Sequence, residues 1–254
     1  MAGHVLVTIP ISHFCEKARW ALDRAAIPFE ERAHLQVLHR FAARRAGGGV
    51  TVPVLVCGDG VLGESAEIVD YADGHAPAGR RLYPEDERQA VEVRALERDF
   101  DEHLGPDGRL WMYYRLRGRR DLAINYGCKG VPEWERRLFP FMYPVVAKGI
   151  DRFLGVTPAA AEQSETQVRA TFESVGERLA DGRRFLCGDD FTAADLTFSA
   201  LAAPMLVPPE YGVPLPQPHE LPHDAAAVVR ELRDHPAGVH ALAMYRDERH
   251  RPPG

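Results

Sequence analysis

TVPVLVCGDGVLGE, residues 51–64, is the stretch whose reading decides the fold. Two apolar runs, VPVLV and VLG, flank Asp59-Gly60, a pair that tolerates the positive φ of a tight turn, so the segment predicts a β-hairpin. Downstream, SAEIVDYADGH (65–75) carries its apolar residues at helical spacing. Upstream, HVLVTIP (4–10) predicts a strand, CEKARWALDRAA (15–26) a helix, and IPFEERAHL (27–35) a second strand entered through Pro28. The order is βαβ followed by ββα, an α/β unit that ends near Tyr83.

From Pro84 onward the strand signals vanish. EDERQAVEVRALERDFDEHL (85–104) places Val91, Leu96, Phe100 and Leu104 at helical spacing on a charged background, which predicts a long helix packed on one face. Segments 133–152, 161–181, 192–206 and 223–246 predict further helices. APAGRRLYP (76–84) holds the Pro and Gly that stop helices and serves as a linker, so two domains are expected, 1–83 and an all-helical 84–254. In CGDDFTAADLTFSALAAPML (187–206), Thr192 is an N-cap with Asp195 at the third helical position, and Phe191 and Leu196 stand where a hydrophobic staple closes. Asp195 is thus a folding residue rather than a catalyst. The span 118–158, interrupted by Gly127, Gly130, Pro132, Pro140 and Pro144, is expected to be irregular, and the tail RDERHRPPG (246–254) to be frayed.

Composition sets the outer limits. A chain of 254 residues that is 45% hydrophobic and 27% charged has ordinary globular usage. Its formal net charge of −6, with Lys and Arg interspersed among Asp and Glu, argues against a nucleic-acid partner. No apolar run reaches the roughly 18–20 residues that span a bilayer, and the opening MAGHVLVTIPISHF has no basic segment before an apolar one; no membrane association and a cytoplasmic location are expected. The four cysteines lie far apart without a CxxC pair, so neither a disulfide framework nor a zinc site is indicated. His219 and His223 have helical metal-ligand spacing, but Pro222 falls between them and Pro218 before, which discounts a metal site.

Three short motifs carry chemistry. SHFCEKARWAL (12–22) puts Ser12 just ahead of a helix, where it either caps the helix or offers its hydroxyl to an anion beside the positive end of the helix dipole. Cys15, in the first turn, is either a thiol of depressed pKa or a buried structural one. His13 is assigned an orienting or surface role. TVP (51–53) places Pro53 at a strand start, where it removes a ladder donor and leaves an edge able to receive an extended peptide. Glu64-Ser65 opens a helix with an acidic group beside a hydroxyl and free N–H groups, with Ser65 as the expected N-cap. Together these segments resemble the glutathione S-transferase family, of a serine/cysteine-motif bacterial type.

The resemblance implies a thioredoxin-like N-terminal domain that binds glutathione, with no metal, and an all-α C-terminal domain that holds an electrophile. It implies that Ser12 stabilises the glutathione thiolate and that the Val52-Pro53 bond is cis. Thr51, Val52 and Pro53 align the glutathione backbone, and Glu64 and Ser65 hold its γ-glutamyl end. It further implies a homodimer and a detoxifying conjugation of a small hydrophobic electrophile. Relatives with cysteine chemistry keep open a thiol oxidoreductase or lyase using Cys15, and a non-catalytic binding protein is the third alternative. A basic contact for the glycyl carboxylate falls to Arg44 or Arg45, in a loop RRAGGG (44–49) expected to act as a flexible lid. The second-substrate pocket is assigned to Phe14, Trp111, Tyr113 and Tyr114. Met112, Trp134, Phe139, Phe141, Met142 and Tyr143 extend the same aromatic-rich segments.

Overall fold

The computed structural model describes residues 3–250. Its sheet contains β1 (His4–Thr8), β2 (Phe29–Ala33), β3 (Val54–Cys57) and β4 (Gly60–Leu62) in the order β2-β1-β3-β4. β1 and β2 run parallel, joined through α1 (His13–Arg24); β3 is antiparallel to β1, and β4 to β3. Side chains alternate across the sheet as the pleat requires. Leu6 and Leu55, paired in register, face α1 and α3 (Ser65–His75), whereas Val7 and Val54 face Ala43 on α2 (His39–Arg45). The hairpin forms one residue earlier than expected: Cys57 pairs with Gly60, so Gly58 and Asp59 make the turn, and Gly60, at φ +131°, takes the positive φ.

Residues 44–49 are not a lid. Arg44 and Arg45 finish α2, and the N–H groups of Gly47 and Gly48 donate to the carbonyls of Arg44 and Ala43 at 3.0 and 2.9 Å, which closes the helix end in a Schellman arrangement.

The helical part opens with a rod built from α4 (Glu87–Asp99), a π turn (Phe100–Leu104) and α5 (Gly105–Arg115). The π turn sits just ahead of Pro106, which has no N–H to continue the α-helical ladder. The rod's inward stripe differs from the expected one. Val91 is 64% exposed, and the buried positions are Val93, Glu97, Phe100 and Leu104, with a carboxylate where an apolar residue was looked for. Then follow α6 (Arg120–Gly127), α7 (Glu133–Leu154), α8 (Pro158–Leu179), α9 (Ala193–Leu206), α10 (His223–Asp234) and α11 (Pro236–Glu248). The span 118–158 is thus mostly regular. α7 runs unbroken through Pro140 and Pro144; Pro144 leaves the Pro140 carbonyl without its helical donor, and Arg120 supplies one at 2.9 Å.

α9 is buried at every position, and its Thr192–Asp195 capping box is present as expected. Asp195 also accepts from the Leu186 N–H at 2.8 Å. α1 is buried nearly all round because it lies between the sheet with α3 on one side and α9 with α11 on the other. Its charged residues therefore tie the two halves of the molecule together. Lys17 reaches Glu97 at 2.9 Å and Asp101 at 2.6 Å, and Arg24 reaches Glu248 at 3.1 Å. Glu16 accepts from Arg249 at 2.6 Å and from the Gly212 N–H at 3.1 Å. The tail is accordingly docked through Arg249, which is only 3% exposed; the rest of the segment expected to fray, 251–254, lies outside the described residues.

Candidate active site

Strand directions bring the three motifs to one end of the sheet. Ser12 follows the C-terminal end of β1. Because β3 is antiparallel to β1, its entry, Val52-Pro53, lies at the same end, and β4, reversed again, delivers Glu64-Ser65 there too. The Val52-Pro53 bond is cis, as the resemblance implied. The β1–β3 ladder begins at Val54, which leaves the half-buried Val52 beyond it with no strand partner on that side.

Ser12 is the N-cap of α1, half-buried, and its Oγ accepts from the Cys15 N–H at a long 3.4 Å. A hydroxyl loosely engaged as an acceptor keeps its own proton available for another group. The neighbouring thiol is placed differently. Cys15 is 0% exposed, and burial pushes its pKa above the ordinary thiol value, so the structure gives it the character of a core residue and not of a nucleophile. All four cysteines are free, with Cys15, Cys128 and Cys187 buried and Cys57 half-buried.

His13 is buried as well, and its role is orienting: Nε2 meets the Gly105 carbonyl at 2.9 Å, joining the start of α1 to the start of α5. Burial first, then the Arg109 guanidinium, lowers its pKa to about 3. An unfolded histidine titrates near 6.5, so between that value and about 3 the unfolded chain binds a proton that the folded chain refuses. Stability from this group is complete above pH 6.5 and falls by about 1.4 kcal/mol per unit on acidification through that window. Between pH 7 and pH 5, urea unfolding is expected to show a loss about 2 kcal/mol larger in the wild type than in His13→Asn, which keeps a donor for the Gly105 carbonyl. Equal losses in both proteins would place the acid sensitivity elsewhere.

At the third motif Glu64, not Ser65, is the N-cap of α3. The reason is Glu67, whose carboxylate accepts from the N–H groups of Gly63 and Glu64 at 3.0 and 3.2 Å and so fixes the helix start one residue earlier. Ser65 becomes the first helical residue and is buried, while Glu64 is exposed. Asp101, on the π turn, is a residue that sequence reasoning did not single out and that the fold brings within the electrostatic reach of Glu64. Burial raises its carboxyl pKa, Lys17 opposes that, and the Glu97 charge and then the Glu64 charge add to it, so Asp101 and Glu64 belong to one acidic corner. Asp101 Oδ1 is buried without a hydrogen-bond partner among the described residues.

Next to Ser12 opens an apolar cleft enclosing about 1190 Å³, part of it open to solvent. Ile11 and Gln36 line its sheet side; Trp111 and Tyr113 of α5 and Phe139 and Tyr143 of α7 line the helical side. Two residues assigned to this pocket lie outside its lining. The Phe14 ring is pressed onto Gly105, where a Cβ would stand 2.4 Å from the ring's Cζ. Tyr114 is turned about 100° round α5 from Tyr113 and stands against Arg117, whose Cζ is 5.9 Å from its ring. Trp134 and Phe141 are 58% and 82% exposed and belong to the outer face of α7. Among the described residues no group of three or more His, Cys, Asp or Glu side chains is placed to hold a metal ion, and no helix is long and apolar enough to cross a membrane.

Comparison with known proteins agrees with this geometry. The model of the glutathione S-transferase N-terminal domain matches residues 6–81, and that of the C-terminal domain matches residues 158–231. Solved structures with the same fold include a glutathione S-transferase from Xanthobacter autotrophicus Py2, 18% identical over 95% of this chain and 91% of that one, with a TM-score of 0.57. Another, from Methylobacillus flagellatus KT with glutathione bound, is 16% identical over 94% of this chain and 98% of its own, with a TM-score of 0.55. A β-etherase from Sphingobium sp. strain SYK-6 is likewise 16% identical over 94% and 98%, with a TM-score of 0.57. No protein of curated function matches the chain in sequence. With both domain models matched in chain order over more than half of its length, and three motifs gathered at one end of a four-stranded sheet beside an apolar cleft, the chain belongs to the glutathione S-transferase family.

Proposed function

We propose that the chain is a glutathione transferase that joins the glutathione sulfur to a hydrophobic electrophile. The observation that carries this reading is the position of Ser12, at the N-terminus of α1 and next to Ile11, which lines the cleft. A free thiol has a pKa near 8.5, and lowering it by about two units takes about 2.7 kcal/mol. A hydroxyl donor together with the helix terminus supplies energy of that order. The thiolate then attacks an electrophilic carbon in the cleft, the carbon–sulfur bond forms, and the leaving group departs with its electron pair. The cleft contributes proximity and exclusion of water.

Glutathione would lie along the sheet end, its cysteinyl backbone on Val52 and its γ-glutamyl carboxylate at Ser65 and the start of α3. Its ammonium falls in the acidic corner of Glu64 and Asp101. His39 on α2, half-buried beside the backbone of Val50 just ahead of that strand entry, joins the exposed Arg44 and Arg45 as a candidate for the glycyl carboxylate. Four free thiols suit a reducing, cytoplasmic setting, and the homodimer typical of the family is part of the same reading. The full burial of Cys15 speaks against disulfide chemistry at that residue. Calorimetric titration with glutathione is expected to show one site per chain at millimolar ligand or below; absence of binding at millimolar glutathione would sink the assignment.

A further inference from the structure

α7 is apolar on two opposite sides. Its inner side, with Phe139, Tyr143 and Val146, packs on Leu35 and lines the cleft. On its outer side Trp134, Leu138, Phe141 and Val145 recur at intervals of four, three and four residues, and so fall within about 60° of one another round the helix. All four are exposed, from 42% at Leu138 to 82% at Phe141. Phe153, 78% exposed, flanks the stripe near the end of α7; Arg40, whose Cζ is 5.8 Å from its ring, holds α2 and the 67% exposed Phe41 beside it. At about 150–250 Å² for each aromatic side chain, the four rings alone leave roughly 450–700 Å² of apolar surface open to water. The largest apolar patch of a typical monomer covers about 300–600 Å², and one partner of a standard protein–protein interface contributes about 800 Å². With Leu138 and Val145 added, the outer side of α7 approaches the second figure.

We infer that this face of α7 is where a second copy of the chain docks, the two α7 helices lying antiparallel about a two-fold axis. The width of the stripe selects the partner. A helix laid on a broad apolar surface presents a stripe of about 100° or more, whereas a narrow seam spaced four and three is what two packed helices share. The charges select the direction. Lys148 and Arg152 take the next two seam positions, and a parallel pair would stack each on its own copy. An antiparallel pair brings Lys148 beside Glu133 at the start of the other helix and opposes the two helix dipoles. An axis between Leu138 and Phe141 sets these two residues against each other across the interface, and Trp134 against Val145, so that every contact is made twice. Because Phe139, Tyr143 and Val146 stand on the opposite side of the same helix, the second copy backs the wall of the cleft. The inference names a surface for the homodimer of the proposed reading and holds whatever chemistry the cleft performs.

Sedimentation equilibrium of the full chain without glutathione is expected to give at least twice the chain mass at micromolar concentration. Leu138→Glu and Phe141→Lys should each halve that mass, raising the dissociation constant by about a hundred-fold or more, because each sets a charge against an apolar side chain twice per dimer. Mixed in equal amounts, the two variants should regain the wild-type mass: the introduced carboxylate and ammonium then face each other at one contact, and Leu138 meets Phe141 at the other. Both positions are exposed, so the substitutions disturb folding little, and regained assembly verifies that both variants are folded. A monomeric wild type would overturn the inference. Single variants that keep the wild-type mass would also overturn it, by assigning the dimer to another face, and a mixture that stays monomeric would overturn the antiparallel pairing. Flotation of the wild type with vesicles of phosphatidylcholine and phosphatidylserine would overturn it in favour of a lipid surface. No thiol takes part in these measurements, so their failure is distinct from a failure to bind glutathione.

Discussion

Ser12→Ala is expected to lower kcat/KM for glutathione conjugation at pH 7 by roughly three- to thirty-fold, while Cys15→Ala changes it by no more than about two-fold. In the proposed mechanism the hydroxyl donates to a sulfur anion, and a hydrogen bond to a charged group contributes about 1.5–3 kcal/mol, or one to two pKa units of the bound thiol. The sign follows directly. Removing the donor disfavours the thiolate, so the thiol pKa rises and the limb of the rate profile that depends on deprotonation moves to higher pH by the same amount. Rate should then recover in the variant as pH is raised, because thiolate forms without help above its own pKa; a loss that stays constant across pH would show that Ser12 positions glutathione and does not tune its acidity. The stability cost is small. An N-cap serine contributes about 1 kcal/mol, and the bond it makes here, 3.4 Å to the Cys15 N–H, is long. The Cys15 thiol, fully buried and held protonated, has no path to an incoming electrophile. A Cys15→Ala protein that lost conjugation while Ser12→Ala kept it would reverse these roles.

What the sequence made legible was local. The hairpin, the α/β order and the Thr192–Asp195 capping box each depend on residues close together in the chain, and each is found, the hairpin with its turn one residue early. Long-range burial was not legible. Nothing local marks Glu16, Lys17, Arg19 and Arg24 as buried, yet all four are, because α1 is covered on both sides and each meets a partner from elsewhere: Arg249, Glu97, Glu31 and Glu248. The same effect hid Glu97 and Asp101 within a charged background whose apolar stripe reads as Val91, Leu96, Phe100 and Leu104. Pro140 and Pro144 argued for a broken segment, since the guanidinium that caps the freed carbonyl lies twenty residues earlier in the chain. The sequence motifs that hold Ser12, Val52 and Glu64 do meet at one end of the sheet, but the cleft residues Ile11 and Gln36 follow no periodic or motif signal. Phe14 was misassigned for a related reason: its ring meets Gly105, which only packing between the two halves reveals.

Arg249→Met is expected to destabilise the protein by about 3–5 kcal/mol, although only five residues follow it in the sequence. Its guanidinium is 2% exposed, donates to Glu16 at 2.6 Å and to Asp23 at 2.8 Å, and lies 5.8 Å from the Trp20 ring centroid. Methionine fills a similar volume, so packing is largely kept and the cost comes from Glu16, whose wholly buried carboxylate loses its main countercharge. Asp23, at 45% side-chain exposure, is rescued by water and contributes little. At about 2–4 °C per kcal/mol for a chain of this size, Tm should fall by roughly 6–20 °C. Glu16→Gln alone should also be costly, leaving Arg249 short of charge in the core, but the pair Glu16→Gln with Arg249→Met removes both ions and should recover at least about 1.5 kcal/mol of the summed single losses, as groups in one network do. A loss below about 1 kcal/mol for Arg249→Met, or simple additivity in the double variant, would mean that the tail is not the tie described. The consequence for the site is separable from stability: the tie acts on the first and third turns of α1, whereas Ser12 is fixed by its own cap and by the His13–Gly105 bond, so at temperatures well below its Tm the variant should bind glutathione with unchanged Kd.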